Sequence, residues 1–289
     1  MRADLLPDDL WERVAPLLPP APERRRRHPG RLRVPDRAAP AGILYVLRIG
    51  VAWRDVPAET VGCSGVTAWR RLRDWTEAGV WPRLHAALLA ELRRADLLDL
   101  DVCAVDGSHV RALKTGDHVG PSPVDRARPG SKHHLIVDRH GTPLASTLTS
   151  GSRHDVTQLL PLLDAVPPIR GLRGRPRPKP RRLHADRGYD FDKYRRLLRK
   201  RSIEPLIARR GVAHGSGLGK VRWIVERSFA WLHQFKQFRT RYERRAGLHQ
   251  GLHELACSLI CLRRLPRTAN RSVSSGGELQ PHRYAPCSP

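Results

Sequence analysis

Residues 98–110 read LDLDVCAVDGSHV. Charged and apolar residues alternate, an apolar run follows from Val102 to Val105, and the stretch then meets Asp106-Gly107, a common turn pair. Alternation bounded by a turn signal is the pattern of a β-strand, here one that ends at Asp106. Working outward, HHLIVDRHGTPLASTLT (133–149) reads as two more strands joined at His140-Gly141. DVTQLLPLLDAV (155–166) is a helix with Asp155 as its cap. RRLHADRGYD (181–190) is a short strand ending in a glycine turn, and DKYRRLLRKR (192–201) is a basic helix. IEPLIARR (203–210) is another strand. VRWIVERSFAWLHQFKQF (221–238) is a long helix with Val221, Val225, Leu232 and Phe235 at helical spacing. Three strands, then helix, strand, helix, strand, helix, give an α/β fold: a mixed sheet with helices on both faces.

Residues 1–98 have a helical rhythm instead. LPDDLWERVAPLL (6–18) places Leu10, Val14, Leu17 and Leu18 on one face. AGILYVLRIG (41–50) is a second helix, with Pro40 tolerated only in its first turn. Between them PPAPERRRRHPGRLRVP (19–35) is a basic, proline-rich break. In WRDVPAETVGCSGVTAWRRLRDWTEAGVW (53–81) a short helix, a Gly-Cys-Ser-Gly break and a new helix from about Val66 have helix-turn-helix proportions. On the last helix Trp69, Leu72 and Trp75 share a face while Arg70, Arg71 and Arg73 point elsewhere. A DNA-contacting helix and an ordinary amphipathic helix with a solvated basic side account for this equally well. The expected organisation is a small helical, helix-turn-helix-like domain (1–98), an α/β domain (99–264) and a polar, proline- and serine-rich disordered tail (265–289).

Charge narrows the function. Lys and Arg number 53 against 28 for Asp and Glu, a formal net charge of +25 over 289 residues. So basic a surface repels itself unless a polyanion compensates, and nucleic acid is the usual one. A GC-rich genome explains the preference for Arg over Lys better than it explains the shortage of acids. The connection PPIRGLRGRPRPKPRR (167–182) carries seven basic residues and no acid. The five cysteines show no C-x-x-C, and Cys257 and Cys261, one turn apart in LACSLICL, suit a packed helix better than zinc. No signal peptide and no run of about 20 apolar residues is apparent, so a cytoplasmic, nucleoid-associated protein with no membrane contact is expected.

Against this background the acids are informative. Asp106 and Asp186 each close a strand of the α/β region. If the two strands are adjacent and parallel, both carboxylates emerge at one edge of the sheet, where open α/β sheets bind ligands. Glu226 lies in the apolar stretch WIVERSFAWL of the long helix. Carboxylates brought together repel one another unless they share a cation, and hard divalent ions prefer such oxygen ligands. Two metal ions about 3.5–4 Å apart stabilise the attacking and leaving oxygens of a phosphoryl displacement. Taken singly, each acid has a plainer reading: a turn-former for Asp106 and a surface ion pair with Arg227 for Glu226. Together with the charge and the element order, a metal site is favoured.

VDGSHVRALK (105–114), RPGSKHHLIVDRHGTPLASTLTSG (128–151), HDVTQLLPLL (154–163), ADRGYD (185–190), IARRG (207–211) with HGSGLG (214–219), and RWIVERSFAWLHQF (222–235) resemble bacterial insertion-sequence transposases. The likeness is to the IS-five-like branch of the IS-four/IS-five superfamily, of actinobacterial type, and covers about residues 5–264. It implies an RNase H-like catalytic fold whose catalytic, metal-holding residues are Asp106, Asp186 and Glu226, with two Mg²⁺ ions that Mn²⁺ replaces. It also implies cleavage and strand transfer of double-stranded DNA at terminal inverted repeats and target, by a homo-oligomer. The family's Y-R-E-K signature places its Arg on Arg222. Gly219 stands where its Tyr would be and His233 where its Lys would be, with Lys236 nearby. The expected DNA contacts are therefore Arg70, Arg71, Arg73, Lys132, Arg222 and Lys236. Two rival readings are a nuclease of the same fold that never joins strands and an inactive DNA-binding repressor of its own element.

Overall fold

In the computed structural model, residues 5–23, 27, 32–211 and 219–266 are described. The tail expected from residue 265 onward falls almost wholly outside them. The first helices are α1 (Asp8–Val14), α2 (Ala38–Ile49), α3 (Ala58–Val61), α4 (Gly65–Glu77) and α5 (Val80–Arg94). Pro40 lies in the first turn of α2, where a missing N–H costs nothing, and Gly50 ends that helix in a left-handed conformation. Ser64 caps α4 by accepting from Thr67 N at 3.3 Å. Leu72 and Trp75 are buried from α4.

The sheet follows: β1 (Val102–Ala112), β2 (Gly120–Pro121), β3 (Pro129–Val137), β4 (Pro143–Ser150), β5 (Arg182–Ala185), β6 (Glu204–Ile207) and β7 (Thr240–Arg241). Its remaining helices are α6 (Leu159–Asp164), α7 (Asp192–Lys200), α8 (Gly219–His233) and α9 (Ala246–Arg264). The five principal strands lie in the order β4-β3-β1-β5-β6. β4, β3 and β1 are antiparallel, while β1, β5 and β6 are parallel. This is the order and sense of an RNase H-like sheet. Alternation along β3 shows the two faces: His133 meets His249 of α9, and Lys132 and His134 face Asp155 at the approach to α6. Every residue of β3 from Gly130 to Val137 is buried, as a central strand covered on both faces requires.

The helices before residue 99 do not stand apart from this sheet. α9 packs against α5 and β4, and also touches α4. The approach is so close that a Cβ at Gly251 would stand 2.6 Å from Thr76 Oγ1 and 3.0 Å from Trp81 Cδ1. One continuous apolar core runs from Leu10 and Leu44 through Trp81 and Ile136 to Cys261. Cys257 and Cys261 are buried free thiols on α9. Among the described residues no helix is long and apolar enough to cross a membrane.

Three local expectations are corrected. Asp106 does not end a strand: β1 continues through Gly107 to Ala112 because β3 pairs with it as far as Arg111. Asp155 does not cap a helix; a 3-10 turn starts there without a side-chain cap, and the carboxylate bonds Lys132 instead. The long helix stops at His233, and a separate 3-10 turn, Lys236–Phe238, buries Gln237 and Phe238.

Candidate active site

β1 and β5 run parallel with Ala104 opposite His184. Two residues further along, the same faces of the two chains carry Asp106 and Asp186. Neighbouring strands lie about 4.8 Å apart, so the two side chains start from adjacent points just beyond the end of that pairing. Both line one small cleft with Ala104, His184 and Val225 of α8. Each is half-buried, and each has one oxygen fixed by main chain. Gly107 N donates to Asp106 Oδ1 at 2.8 Å, and Gly188 N donates to Asp186 Oδ1 at 2.8 Å.

The cleft exists because β5 ends at Ala185 while β1 runs on. β7 pairs with β1 only at Arg111 and Ala112. Between, the β5 side of β1 has no strand partner among the described residues, which leaves a notch in the sheet.

α8 lies against β1, β3 and β5, and Val225 closes the cleft. Glu226, the next residue, is exposed on that helix. Among the described residues no group of three His, Cys, Asp or Glu is arranged to hold a metal ion. The structure thus brings Asp106 and Asp186 together and leaves Glu226 on the adjoining helix. The carboxylate pair fits a hard divalent cation in donor type, two oxygen-bearing acids lining one cleft. Arg222 falls one turn before Glu226, and its side chain lies outside the described residues.

A further carboxylate belongs to the neighbourhood. Tyr189 is buried beside the notch, and its hydroxyl titrates well above the ordinary range, through burial first and then through the fields of Asp155, Asp106 and Asp186. Asp155 Oδ1 accepts from Lys132 Nζ at 2.9 Å, and the same ammonium donates to the Arg153 carbonyl at 2.9 Å. Lys132, expected to meet DNA, is therefore turned inward, with its side chain only 7% exposed. The signal in the sequence was a run of four polar residues, Ser131 to His134, leading straight into the apolar Leu135-Ile136-Val137 of one strand.

The other expected DNA contacts are dispersed. Arg70 is exposed on α4; Arg71 lies 3.3 Å from Asp36, and Arg73 lies 2.7 Å from Asp74 with its guanidinium over Trp69. The three line one open groove with Arg33 and Thr67. Lys236 is exposed, and its turn packs against both α2 and α8. Sequence reading missed a second cationic cleft, on the flank of α8, lined by Arg139, Arg182, Arg227, Arg264 and Trp223. Arg227 is held there by main chain and by two indole rings. It donates to the His140 carbonyl at 2.8 Å and lies between the Trp223 and Trp231 rings, 4.3 and 4.9 Å from their centroids.

The family description "Transposase DDE domain" matches residues 98–261, and "Putative transposase of IS4/5 family" matches residues 6–85. A putative transposase for insertion sequence element IS402 from Burkholderia cepacia is 61% identical over 154 residues, 53% of this chain and 72% of that protein. An uncharacterised 16.2 kDa protein of the same element is 55% identical over 124 residues, 43% of this chain and 84% of its own length. A crystal structure of a pre-cleavage Mos1 transpososome is similar at a TM-score of 0.25 and 13% identity, covering 82% of this chain and 80% of that one.

Proposed function

The chain belongs to the transposases with a DDE domain, enzymes that cleave DNA and transfer its strands with divalent metal ions, and we propose that Asp106, Asp186 and Glu226 are its catalytic acids. One observation carries the assignment: Asp106 and Asp186, 80 positions apart in sequence, share a cleft that the helix of Glu226 closes. The preferred ions are two Mg²⁺, with Mn²⁺ able to replace them. Bound there, they supply Lewis-acid stabilisation of the attacking and leaving oxygens.

The chain's own contribution is position and charge. Gly107 N and Gly188 N orient the two aspartates, so little reorganisation accompanies cation uptake. Glu226 joins them from α8, and Arg222, one turn earlier on that helix, holds a DNA phosphate. The arginines on the flank of α8 continue the phosphate track, where Trp223, 49% exposed, offers an aromatic surface. Arg70, Arg71 and Arg73 border a second groove for DNA, and Lys236 a third point of contact. Water cleaves the phosphodiester at each terminal repeat, and the freed 3′-hydroxyl then attacks target DNA. No covalent protein–DNA intermediate is required. Residues 99–264 form the catalytic domain and 1–98 the DNA- or subunit-contacting one. Joining two ends calls for a dimer or larger assembly acting on the nucleoid in the cytoplasm.

The test uses plasmid-borne terminal repeats with Mg²⁺, and separately pre-cut ends carrying a 3′-hydroxyl. Cleavage and joining by the wild type, both lost in Asp186→Asn, are expected. Cutting without joining, or an Asp186→Asn protein as active as wild type, overturns the reading.

A further inference from the structure

The two sides of β1 treat the notch differently. Asp106 points to the α8 face and Gly107, by alternation, to the opposite one. A Cβ at Gly107 would lie 3.0 Å from Asp155 Oδ1 and 3.2 Å from His134 Nδ1. Glycine therefore lets a carboxylate rest against the strand one residue from Asp106. The Asp155 side chain is 34% exposed, and its field reaches Tyr189 together with those of Asp106 and Asp186. Behind it stands His134, whose side chain is 0% exposed; its Nε2 bonds Thr149 Oγ1 at 2.8 Å. His134 Nδ1 is buried without a hydrogen-bond partner and lies 3.9 Å from Asp155 Oδ1. Lys132, two residues earlier on the same face of β3, supplies a cation 2.9 Å from Asp155 Oδ1.

We propose that Asp155 is a positioning residue of the catalytic centre, a further carboxylate that reaches the notch from the opposite face of the sheet and strengthens its hold on divalent cations, with Lys132 setting how much of its charge is felt. The inference rests on Asp106 and Asp186 being the cation site. It differs from a structural ion pair in one sign. If the pair merely tied β3 to the turn at Asp155, loss of either partner would loosen the fold and leave cation affinity alone. If the charge acts at the notch, losing Asp155 weakens cation binding and losing Lys132 tightens it.

The experiment titrates the full chain with Mn²⁺ and reads free ion by electron paramagnetic resonance, with melting in chelator run alongside. Asp155→Asn is expected to bind Mn²⁺ several-fold more weakly than wild type, Lys132→Met more tightly, and Asp155→Glu close to wild type. The double variant Lys132→Met, Asp155→Asn leaves no buried charge unpaired and covers the case in which a single variant does not fold. It is expected to bind as weakly as Asp155→Asn. Wild-type affinity in both Asp155→Asn and the double variant overturns the inference. Asp186→Asn is the reference: if it loses Mn²⁺ while the Asp155 variants keep it, only the role of Asp155 fails. If Asp186→Asn also binds as wild type, or wild type takes up no Mn²⁺, the cation site itself fails, and the inference with it.

Discussion

Replacing Asp186 by asparagine removes one charge and little else. The amide oxygen still accepts from Gly188 N, a bond of 2.8 Å in the wild type, so the turn after β5 keeps its geometry. What changes is the repulsion across the notch. Two full charges one strand spacing apart, about 4.8 Å, repel by about 3.5 kcal/mol at an effective dielectric near 20. Both carboxylates are half-exposed among many cations, and screening reduces this to about 1 kcal/mol. In chelator, Asp186→Asn should therefore melt higher than wild type, by roughly 2–4 °C for a chain of this size. Divalent ions reverse the order, because an ion at a hundred times its dissociation constant stabilises the wild type by about 2.7 kcal/mol and the variant by much less. Melting curves by fluorescence, with chelator and with saturating Mg²⁺, measure both shifts. A variant that melts lower than wild type in chelator, together with equal gains from Mg²⁺, refutes the shared-cation account.

Burial lowers His85 to about 4, partly offset by its bond to the Pro143 carbonyl, and burial likewise lowers His253 to about 3. Both fall below the unfolded value of about 6.5, so the unfolded chain takes up protons that the folded chain refuses. Stability should thus be full above pH 6.5 and decline as pH falls toward 4, each histidine approaching about 1.4 kcal/mol per pH unit. Urea unfolding at pH 7, 5.5 and 4.5 checks this, and a flat profile contradicts it. Asp190 and Arg195, 2.7 Å apart and each 6% exposed, form a buried pair, and Arg195 also donates to the Ile207 carbonyl of β6. Asp190→Ala should cost about 3–5 kcal/mol because it strands that guanidinium; a loss under 1 kcal/mol in the same assay would count against it. Gly251→Ala should cost roughly 1–3 kcal/mol by forcing α9 off α4 and α5. Calorimetry should still show one transition for the described core, whereas two separate transitions would mean the helices before residue 99 fold alone.

Much of the fold was legible because burial imposes a period. The alternation before Asp106 and the apolar spacing along residues 221–232 announced a strand and a helix, and the element order then limited the sheet to a mixed one. Ends were less legible, since they depend on a partner. Nothing local says that β1 outlasts its Asp-Gly pair; pairing with β3 decides that. Nothing local ends α8 at His233 either, since Phe235 continues the apolar spacing but is buried through a turn instead.

The sequence by itself determined the chemistry on offer: an excess of cations, few acids, and two aspartates each within two residues of a glycine. Those are properties of composition and of neighbours one or two residues apart. The tertiary structure alone decided which groups meet. It set β5 against β1, ended β5 early to open the notch, turned Lys132 inward, and delivered Asp155 to the far side of Gly107. Strand pairing and side-chain alternation act between residues tens of positions apart, and no local pattern encodes that distance.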